Sequence, residues 1–248
     1  MIHNYNRIPF YFFVLSICLS SISSFGQPRI IDYKGHHYAV YIADYPKEKI
    51  QLFWKNGHNE KIKSLSNLKK HVNETGHELL FATNAGMYTP DNTPCGLYIE
   101  NGKQIKSITL ATKGNGNFFM QPNGVFLLTK SEAKVVTSQE FSAYKNKTTF
   151  ATQSGPMLVT NGVINSNFNN GSANLNIRSG VGVNREGRVV FAISQDWVNF
   201  YDFASLFKEN LNCSNALFLD GAISRMYLPK LNLNDTGGNF GAMIGVVR

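Results

Sequence analysis

The chain has 248 residues and a formal net charge of +8, from 24 lysines and arginines against 16 acidic residues. This length is typical of one domain whose hydrophobic core is large enough to fold without a metal or disulfide staple. The basic residues are scattered, and the one dense cluster, at positions 61–70, lies around a predicted helix, so the sequence argues against nucleic-acid binding.

Residues 1–26 have the pattern of a cleaved secretory signal peptide. Arg7 supplies a positive start, an apolar run follows at positions 10–22, and the small residues Ser24 and Gly26 precede the expected cleavage point. The apolar run is too short and too rich in serine to span a membrane, so we expect no transmembrane anchor after cleavage. The predicted mature domain is residues 27–248, secreted or periplasmic.

Alternating apolar and polar residues at positions 37–42 and 50–54 predict two strands, and positions 78–84 predict another. Between them, Leu65, Leu68 and Val72 fall on one face of a predicted helix that stops near Gly76. Two cysteines remain after the signal peptide, Cys95 and Cys213. They could form a disulfide or stay as separate thiols, because one pair gives no spacing pattern to test.

Asn-Gly pairs at 101–102 and 161–162 predict two hairpins, because this pair tolerates the positive φ angles of a tight turn. Another hairpin is predicted across positions 185–187. A second helix, with Asp202 as its cap, precedes a buried strand at 216–220, and a last strand is predicted at 243–247. The expected fold class is α+β, a single β-rich domain with a mixed sheet and a few packed helices.

Four segments combine glycine with polar side chains directly after predicted strands. A strand end holds a side chain rigidly beside a loop that can face a ligand, so four such segments suggest one shared pocket. The segments are residues 82–88, 151–157, 178–183 and 219–224. The side chains in them that could face a ligand are those of Asn84, Gln153, Ser154, Arg178, Asp220 and Ser224.

Among these residues, Arg178 has the planar fork that matches a phosphate or carboxylate, although a structural ion pair with Asp220 or Asp196 would equally explain it. Asp220 could be a general acid, a base or a nucleophile, or part of an ordinary Asp-Gly turn. Asn84 is either a ligand contact or a turn cap.

No histidine falls inside the four segments, which argues against a serine–histidine or cysteine–histidine nucleophile. The sequence also has no zinc-binding spacing and no phosphate-binding loop of the Gly-Lys-Ser type. Carboxylate chemistry remains, with Asp220 as the first catalytic candidate, Asp196 as the second and Asp91 as a third that could simply hold a turn. No cofactor is required, and the sequence leaves a divalent cation open.

Read in order, the segments 83–88 (TNAGMY), 153–156 (QSGP), 178–182 (RSGVG) and 218–221 (FLDG) resemble the motifs of the phosphodiester glycosidase family, in its secreted bacterial branch. The resemblance implies a hydrolase that removes a sugar from a sugar-1-phosphodiester. Ala85 and Ala222 stand where the better-known motifs of the family have glycine, so the sugar recognised is expected to differ.

The resemblance also implies which residues line the site: Asn84, Gly86, Ser154, Gly155, Arg178, Gly180, Asp220 and Gly221. In this interpretation Arg178 holds the phosphate, Asp220 transfers a proton or attacks, and Asn84 and Ser154 orient the sugar. The alternative is a non-catalytic envelope module that binds carbohydrate or phosphorylated glycan, with aromatic residues such as Trp197 stacking on sugar rings.

Overall fold

A computed structural model of the protein describes Met1, residues 26–220 and residues 223–248. The predicted signal peptide lies almost wholly outside the described residues, and its cleavage stays a prediction. Within the described ranges, no helix combines the length and the apolar character needed to cross a lipid bilayer.

The described chain is dominated by short strands with two α-helices between them. In chain order these are β1 Gln27–Tyr33, β2 His36–Ala43, β3 Lys49–Phe53, α1 Leu65–Glu74, β4 Leu79–Asn84, β5 Tyr98–Glu100, β6 Lys103–Lys106, β7 Gly124–Leu128, β8 Ala133–Thr137, β9 Phe150–Ser154, β10 Met157–Thr160, β11 Val163–Ile164, β12 Ser179–Asn184, β13 Val189–Ser194, α2 Phe200–Ser205, β14 Cys213–Asp220, β15 Met226–Leu228, β16 Leu233–Asn234 and β17 Met243–Val247.

The strands form three sheets around one core. The first sheet has the order β1-β2-β13-β12-β14-β10-β11, the second β16-β15-β4-β17-β3, and the third β6-β5-β9-β7-β8. A cluster of four buried aromatic side chains joins them. Phe191 of the first sheet lies 4.8 Å from Phe81 of the second and 6.0 Å from Phe126 of the third, and Tyr41 stacks on Phe81 at 4.8 Å, between ring centroids. Each such side chain contributes about 1.5–3 kcal/mol by burial, so this cluster holds the three sheets together.

The outer faces of the first two sheets are covered by the helices. Helix α1 begins after Ser64, whose hydroxyl accepts from the main-chain nitrogen of Asn67. Leu65, Leu68 and Val72 of this helix are buried, as predicted. Helix α2 begins after Asn199, whose side chain accepts from the main-chain nitrogen of Asp202. Asp202 was the predicted cap. Asp202 instead lies in the first turn of the helix, and Asn199 is the cap because its side chain accepts from the main-chain nitrogen of Asp202.

The predicted hairpins are present. Asn101 and Gly102 connect β5 to β6 with φ angles of 52° and 76°, and Asn161 and Gly162 connect β10 to β11 with 49° and 77°. These positive angles are the ones for which an Asn-Gly pair is suited. The expected α+β class, with a β-rich domain and a few helices, is confirmed. Cys95 and Cys213 are both free thiols in this structure.

Candidate active site

Each of the three sheets contributes a strand end to one polar site. Asn84 ends β4 in the second sheet, and Ser154 ends β9 in the third. In the first sheet, Ser179 begins β12 and pairs with Asp220 at the end of β14. The four sequence motifs therefore meet where the three sheets approach each other.

A hydrogen-bond network connects the first, third and fourth motifs. The Asn84 amide donates to the Ser179 hydroxyl at 3.1 Å. The Ser224 hydroxyl lies 2.9 Å from the Ser179 hydroxyl and 2.5 Å from the main-chain oxygen of Asp220. Asn84 and Ser179 are buried, whereas Ser224 and Asp220 are half-buried. Asn84 and Ser179 are therefore the buried members of this network, and Asp220 and Ser224 lie nearer the solvent.

The second motif joins the same network through main-chain oxygens. The buried Ser154 hydroxyl donates to the Leu219 oxygen at 3.1 Å, one residue before Asp220. Gly86 packs directly on Ser154, and a Cβ at Gly86 would lie 3.1 Å from the Ser154 Cβ. Gly155 is also closely packed, because a Cβ there would lie 2.7 Å from the Cβ of Asn123. Both glycines are thus required by close approach to neighbouring atoms.

Replacing Gly86 with alanine is expected to destabilise the protein by about 1–3 kcal/mol, since Gly86 has a φ of 141° and no room for a methyl group. Thermal or urea unfolding measures the change. Gly57→Ala is the matched control, because a Cβ at Gly57 meets nothing within 4 Å and Gly57 is not among the positive-φ residues of the described chain. Equal stability of the two variants would contradict the packing described for Gly86.

The loop that follows β4 contributes two polar groups, Tyr88 and Cys95, whose pKa values are affected by the charge of Asp220. Burial first, and the negative charge of Asp220 second, raise the pKa of Tyr88 to about 12. Burial also raises the pKa of Cys95, where Lys106 acts in the opposite direction and Asp220 adds a smaller increase. The Asp220 carboxylate is therefore close enough to interact with both side chains. Gly221, the next motif residue, lies outside the described residues.

Arg178 lies at the same strand end but points to the opposite face of the first sheet. Its guanidinium carbon is 3.7 Å from the ring centroid of Phe200, and it donates to the main-chain oxygens of Val198 and Asn174 at 2.8 Å. The residue is only 1% exposed, and this burial lowers the pKa of the guanidinium to about 10. The Asp196 carboxylate, one of the two ion-pair partners considered for Arg178, binds His37 instead.

Gly180 shares this face with Arg178, and a Cβ at Gly180 would lie 3.1 Å from Phe203 and 3.1 Å from Phe207. Gly180 therefore lets helix α2 pack closely on the sheet. Gly180 lies on the face of the sheet opposite to Ser179. In this conformation it packs against helix α2 and does not line the site.

Asp196 is held away from Asp220. It follows β13, and its carboxylate accepts from the main-chain nitrogen of His37 at 2.6 Å and lies 2.9 Å from the His37 ring nitrogen Nδ1. His37 belongs to β2, on the side of β13 away from β12 and β14. With about 4.8 Å between strands, β13 and β14 alone are about 10 Å apart. The structure thus does not bring the two predicted catalytic carboxylates together.

The His37–Asp196 contact predicts a specific pH dependence. Asp196 and, to a lesser extent, Asp32 raise the pKa of His37 above its ordinary 6.5, and His37 lowers the pKa of Asp196 below its ordinary 3.8. The histidine contribution to stability is complete below its unfolded pKa and is lost as pH rises through the folded pKa. The aspartate contribution is complete above its unfolded pKa and is lost as pH falls through the folded value.

We therefore expect Asp196→Asn to lower the pKa of His37 toward its ordinary value, as measured by NMR titration of the ring protons. The variant should also lose the decrease in stability that we expect of the wild-type protein as the pH rises above 6.5. An unchanged His37 titration would contradict the contact.

Three site residues were absent from the sequence-based candidates. Ser179 lies inside the third motif, but its charged neighbour Arg178 was the candidate chosen from the sequence. Tyr88 and Cys95 come from the loop that follows the first motif, and only the folded chain brings them close to Asp220. Asp91, the third carboxylate candidate, binds the hydroxyl of Thr93 at 2.6 Å within its own turn. No cluster of three or more potential metal ligands occurs in the part of the chain that the structure describes.

Comparison with known proteins identifies the family. The sequence model of the family described as phosphodiester glycosidase matches residues 77–247, which is more than half of the chain. The protein therefore belongs to the phosphodiester glycosidase family. The match includes all four motif segments and every strand from β4 to β17.

The chain is also similar to one known relative and to solved structures. The Escherichia coli K12 protein YigE is 41% identical over 189 residues, which cover 76% of this chain and 73% of that protein. The catalytic domain of zebrafish N-acetylglucosamine-1-phosphodiester alpha-N-acetylglucosaminidase, in a form auto-inhibited by its pro-peptide, superposes with a TM-score of 0.64 at 15% identity, covering 91% of this chain and 84% of that one.

A hypothetical protein from Synechocystis has a TM-score of 0.54 at 14% identity, covering 90% of this chain and 61% of that one. At these identities the two structural matches show a shared fold.

Proposed function

We propose that the protein is a secreted hydrolase that cleaves a sugar from a sugar-1-phosphodiester. The observation that carries the proposal is the meeting of four motif segments, from strand ends of three sheets, in one hydrogen-bonded network beside Asp220. Membership of the phosphodiester glycosidase family supports the reaction class. The similarity to the zebrafish enzyme, whose name states a sugar-1-phosphodiester substrate, supports the choice of substrate class.

The chemistry of the leaving group favours a site with one central carboxylate. Hydrolysis breaks the bond between the sugar carbon C1 and the phosphate oxygen, and the phosphomonoester leaves with the electron pair. Because the second pKa of a phosphomonoester is about 6, this group leaves as an anion near neutral pH without first being protonated. An ordinary glycoside has an alcohol as its leaving group and needs a carboxylic acid to protonate it.

Asp220 is therefore proposed to supply the one essential carboxylate. It either removes a proton from the water that adds to C1, or attacks C1 itself and is released by that water. The buried residues Asn84 and Ser179 are proposed to fix the main chain at Asp220, and Ser224, half-buried beside them, is proposed to contact the substrate. Under this proposal, Asp196 has no required role in the reaction.

Arg178 is proposed to favour the anionic substrate through its charge. The guanidinium is buried, and it donates to the main-chain oxygens of Val198 and Asn174 and to the side-chain oxygen of Asn174, none of which carries a formal charge. A charge in a poorly solvated position acts over a longer distance than an exposed one. A phosphodiester bound at the adjacent strand ends would experience this field.

The direct test is a panel of sugar-1-phosphodiesters that vary in the sugar, with neutral glycosides and sugar-1-phosphate monoesters of the same sugars as controls. We expect at least one diester to be hydrolysed to free sugar and phosphomonoester, and the neutral glycosides to remain intact. Binding of the diesters without any turnover would overturn the proposal in favour of a non-catalytic carbohydrate-binding module. Secretion is tested separately, by fractionating cells that express the full chain.

A further inference from the structure

One cleft of the protein lies away from the candidate active site and has a distinct chemistry. It has a volume of about 720 Å³ and is bordered by the β5–β6 turn at Asn101, the β7–β8 turn at Lys130, and the segment 145–150 that leads into β9. We call it the lysine cleft, after Lys130, Lys145 and Lys147. This volume is in the range of roughly 300–1,000 Å³ typical of small-molecule sites.

The lysine cleft is positively charged because its lysines are not balanced by acids. No aspartate or glutamate is among its lining residues. Of the described residues, no carboxylate lies within ion-pair distance of Lys130, Lys145 or Lys147. The lysine cluster around helix α1 differs in this respect, since Lys70 pairs with Glu74 at 3.8 Å. Three unpaired ammonium groups around one concave surface favour an anionic ligand.

The other lining groups indicate what kind of anion fits. The carboxamides of Asn101, Gln104 and Asn146 offer both donors and acceptors, which suit sugar hydroxyls. The aromatic rings of Tyr45 and Phe150 are partly exposed and offer apolar surfaces for the C–H faces of a sugar ring. A cleft that combines cations, amides and aromatic rings matches a carbohydrate that bears negative charge.

The cleft is separate from the candidate active site. Strand β9 runs from Phe150, which lines the cleft, to Ser154 in the site network. At about 3.3 Å per residue these two positions are about 13 Å apart along the strand. A single monosaccharide phosphate therefore cannot contact both places at once.

We propose that the lysine cleft is a second binding site of this protein, with an anionic carbohydrate as its ligand. The negative groups of the ligand are paired by Lys130, Lys145 and Lys147, and its hydroxyls by the surrounding amides. The site does not depend on the hydrolytic activity, because none of the residues that carry it belongs to the network around Asp220.

The test measures binding by titration calorimetry on the full chain carrying Asp220→Asn, so that no ligand is consumed. The probes are a sugar phosphate, an oligosaccharide of uronic acids, a neutral oligosaccharide and inorganic phosphate. We expect one or both anionic carbohydrates to bind and the neutral one not to bind. The triple variant K130Q/K145Q/K147Q should weaken that binding by at least about tenfold, since three charge-assisted contacts are lost.

The matched control is K63Q/K69Q/K70Q around helix α1, which removes the same net charge and should retain affinity within about twofold. Equal weakening in the two triple variants, or binding of neither anionic carbohydrate, would overturn the proposal. Binding of inorganic phosphate alone, without either carbohydrate, would also overturn it. The lysine cleft variant should hydrolyse a small diester at the wild-type rate, so the outcome is independent of the test of the proposed function.

Discussion

Replacing Asp220 with asparagine is expected to reduce kcat/KM for a sugar-1-phosphodiester by about 1,000-fold. A positioned carboxylate that moves a proton typically contributes about 10²–10⁴-fold, and a nucleophile contributes at least as much. Asparagine has nearly the same shape as aspartate but can neither accept the proton nor attack C1. The network that holds the main-chain oxygen of Asp220 does not require the carboxylate, so the variant should remain folded.

The matched control for this prediction is Asp196→Asn. Its carboxylate binds His37 at the far side of β13, and with a phosphomonoester leaving group no second carboxyl group is needed. We expect the control to keep kcat/KM within about threefold of wild type, since exposed charge contacts have small effects. A large loss in Asp196→Asn together with activity in Asp220→Asn would reverse the two roles.

The second large effect is expected at Asn84. Asn84→Ala removes one hydrogen-bond partner of the buried Ser179 hydroxyl, which keeps its contacts with Ser224 and the main-chain oxygen of Asp220, and the loss of one such bond costs about 0.5–1.5 kcal/mol. Activity should fall by about 100-fold, because a displacement of about 1 Å in a reacting group has an effect of this size. Unfolding curves and steady-state kinetics measure the two losses separately.

A double-mutant cycle with Ser179→Ala tests the reason for this loss. Residues in direct contact show non-additive effects of about 0.5–3 kcal/mol, so the double variant should lose less stability than the two single variants combined. Additive losses would indicate that Asn84 and Ser179 act independently. Asn84→Asp is a further comparison, since it keeps the shape but places a charge in a buried position beside Asp220.

Local sequence patterns predicted much of the fold. The helix after Ser64, the Asn-Gly hairpins and the last strand follow from periodicity, capping and turn preferences within a few residues. The three-sheet arrangement does not follow from such patterns. It depends on contacts between distant residues, such as those of Phe191 with Phe81 and Phe126, which a sequence of separate strands does not reveal.

The candidate site was likewise predicted in part by local sequence patterns, while the rest depends on contacts between distant residues. The four motifs were recognisable because glycine and polar residues stand together in each, but the directions of their side chains were not. The third motif was expected to follow a strand and lies instead at the start of β12. Arg178 and Ser179 are neighbours in sequence and point to opposite faces of the sheet. The spacing of Gly180 and Gly182, which both pack against Phe207, could have indicated that Arg178 shares their face, because alternate residues of a strand do so. The separation of Asp196 from Asp220 depends on strand order, which the sequence alone did not supply.

The most direct measurement is to hydrolyse a sugar-1-phosphodiester with the purified protein in water that carries a heavy isotope of oxygen, and to locate the isotope by mass spectrometry. Cleavage between C1 and the bridging oxygen places the heavy oxygen on the released sugar and leaves the phosphomonoester unlabelled, and Asp220→Asn should slow the release of both products by about 1,000-fold. Heavy oxygen in the phosphate would mean attack at phosphorus. That result would contradict the proposed glycosidase chemistry, as would the absence of hydrolysis across the whole panel of diesters.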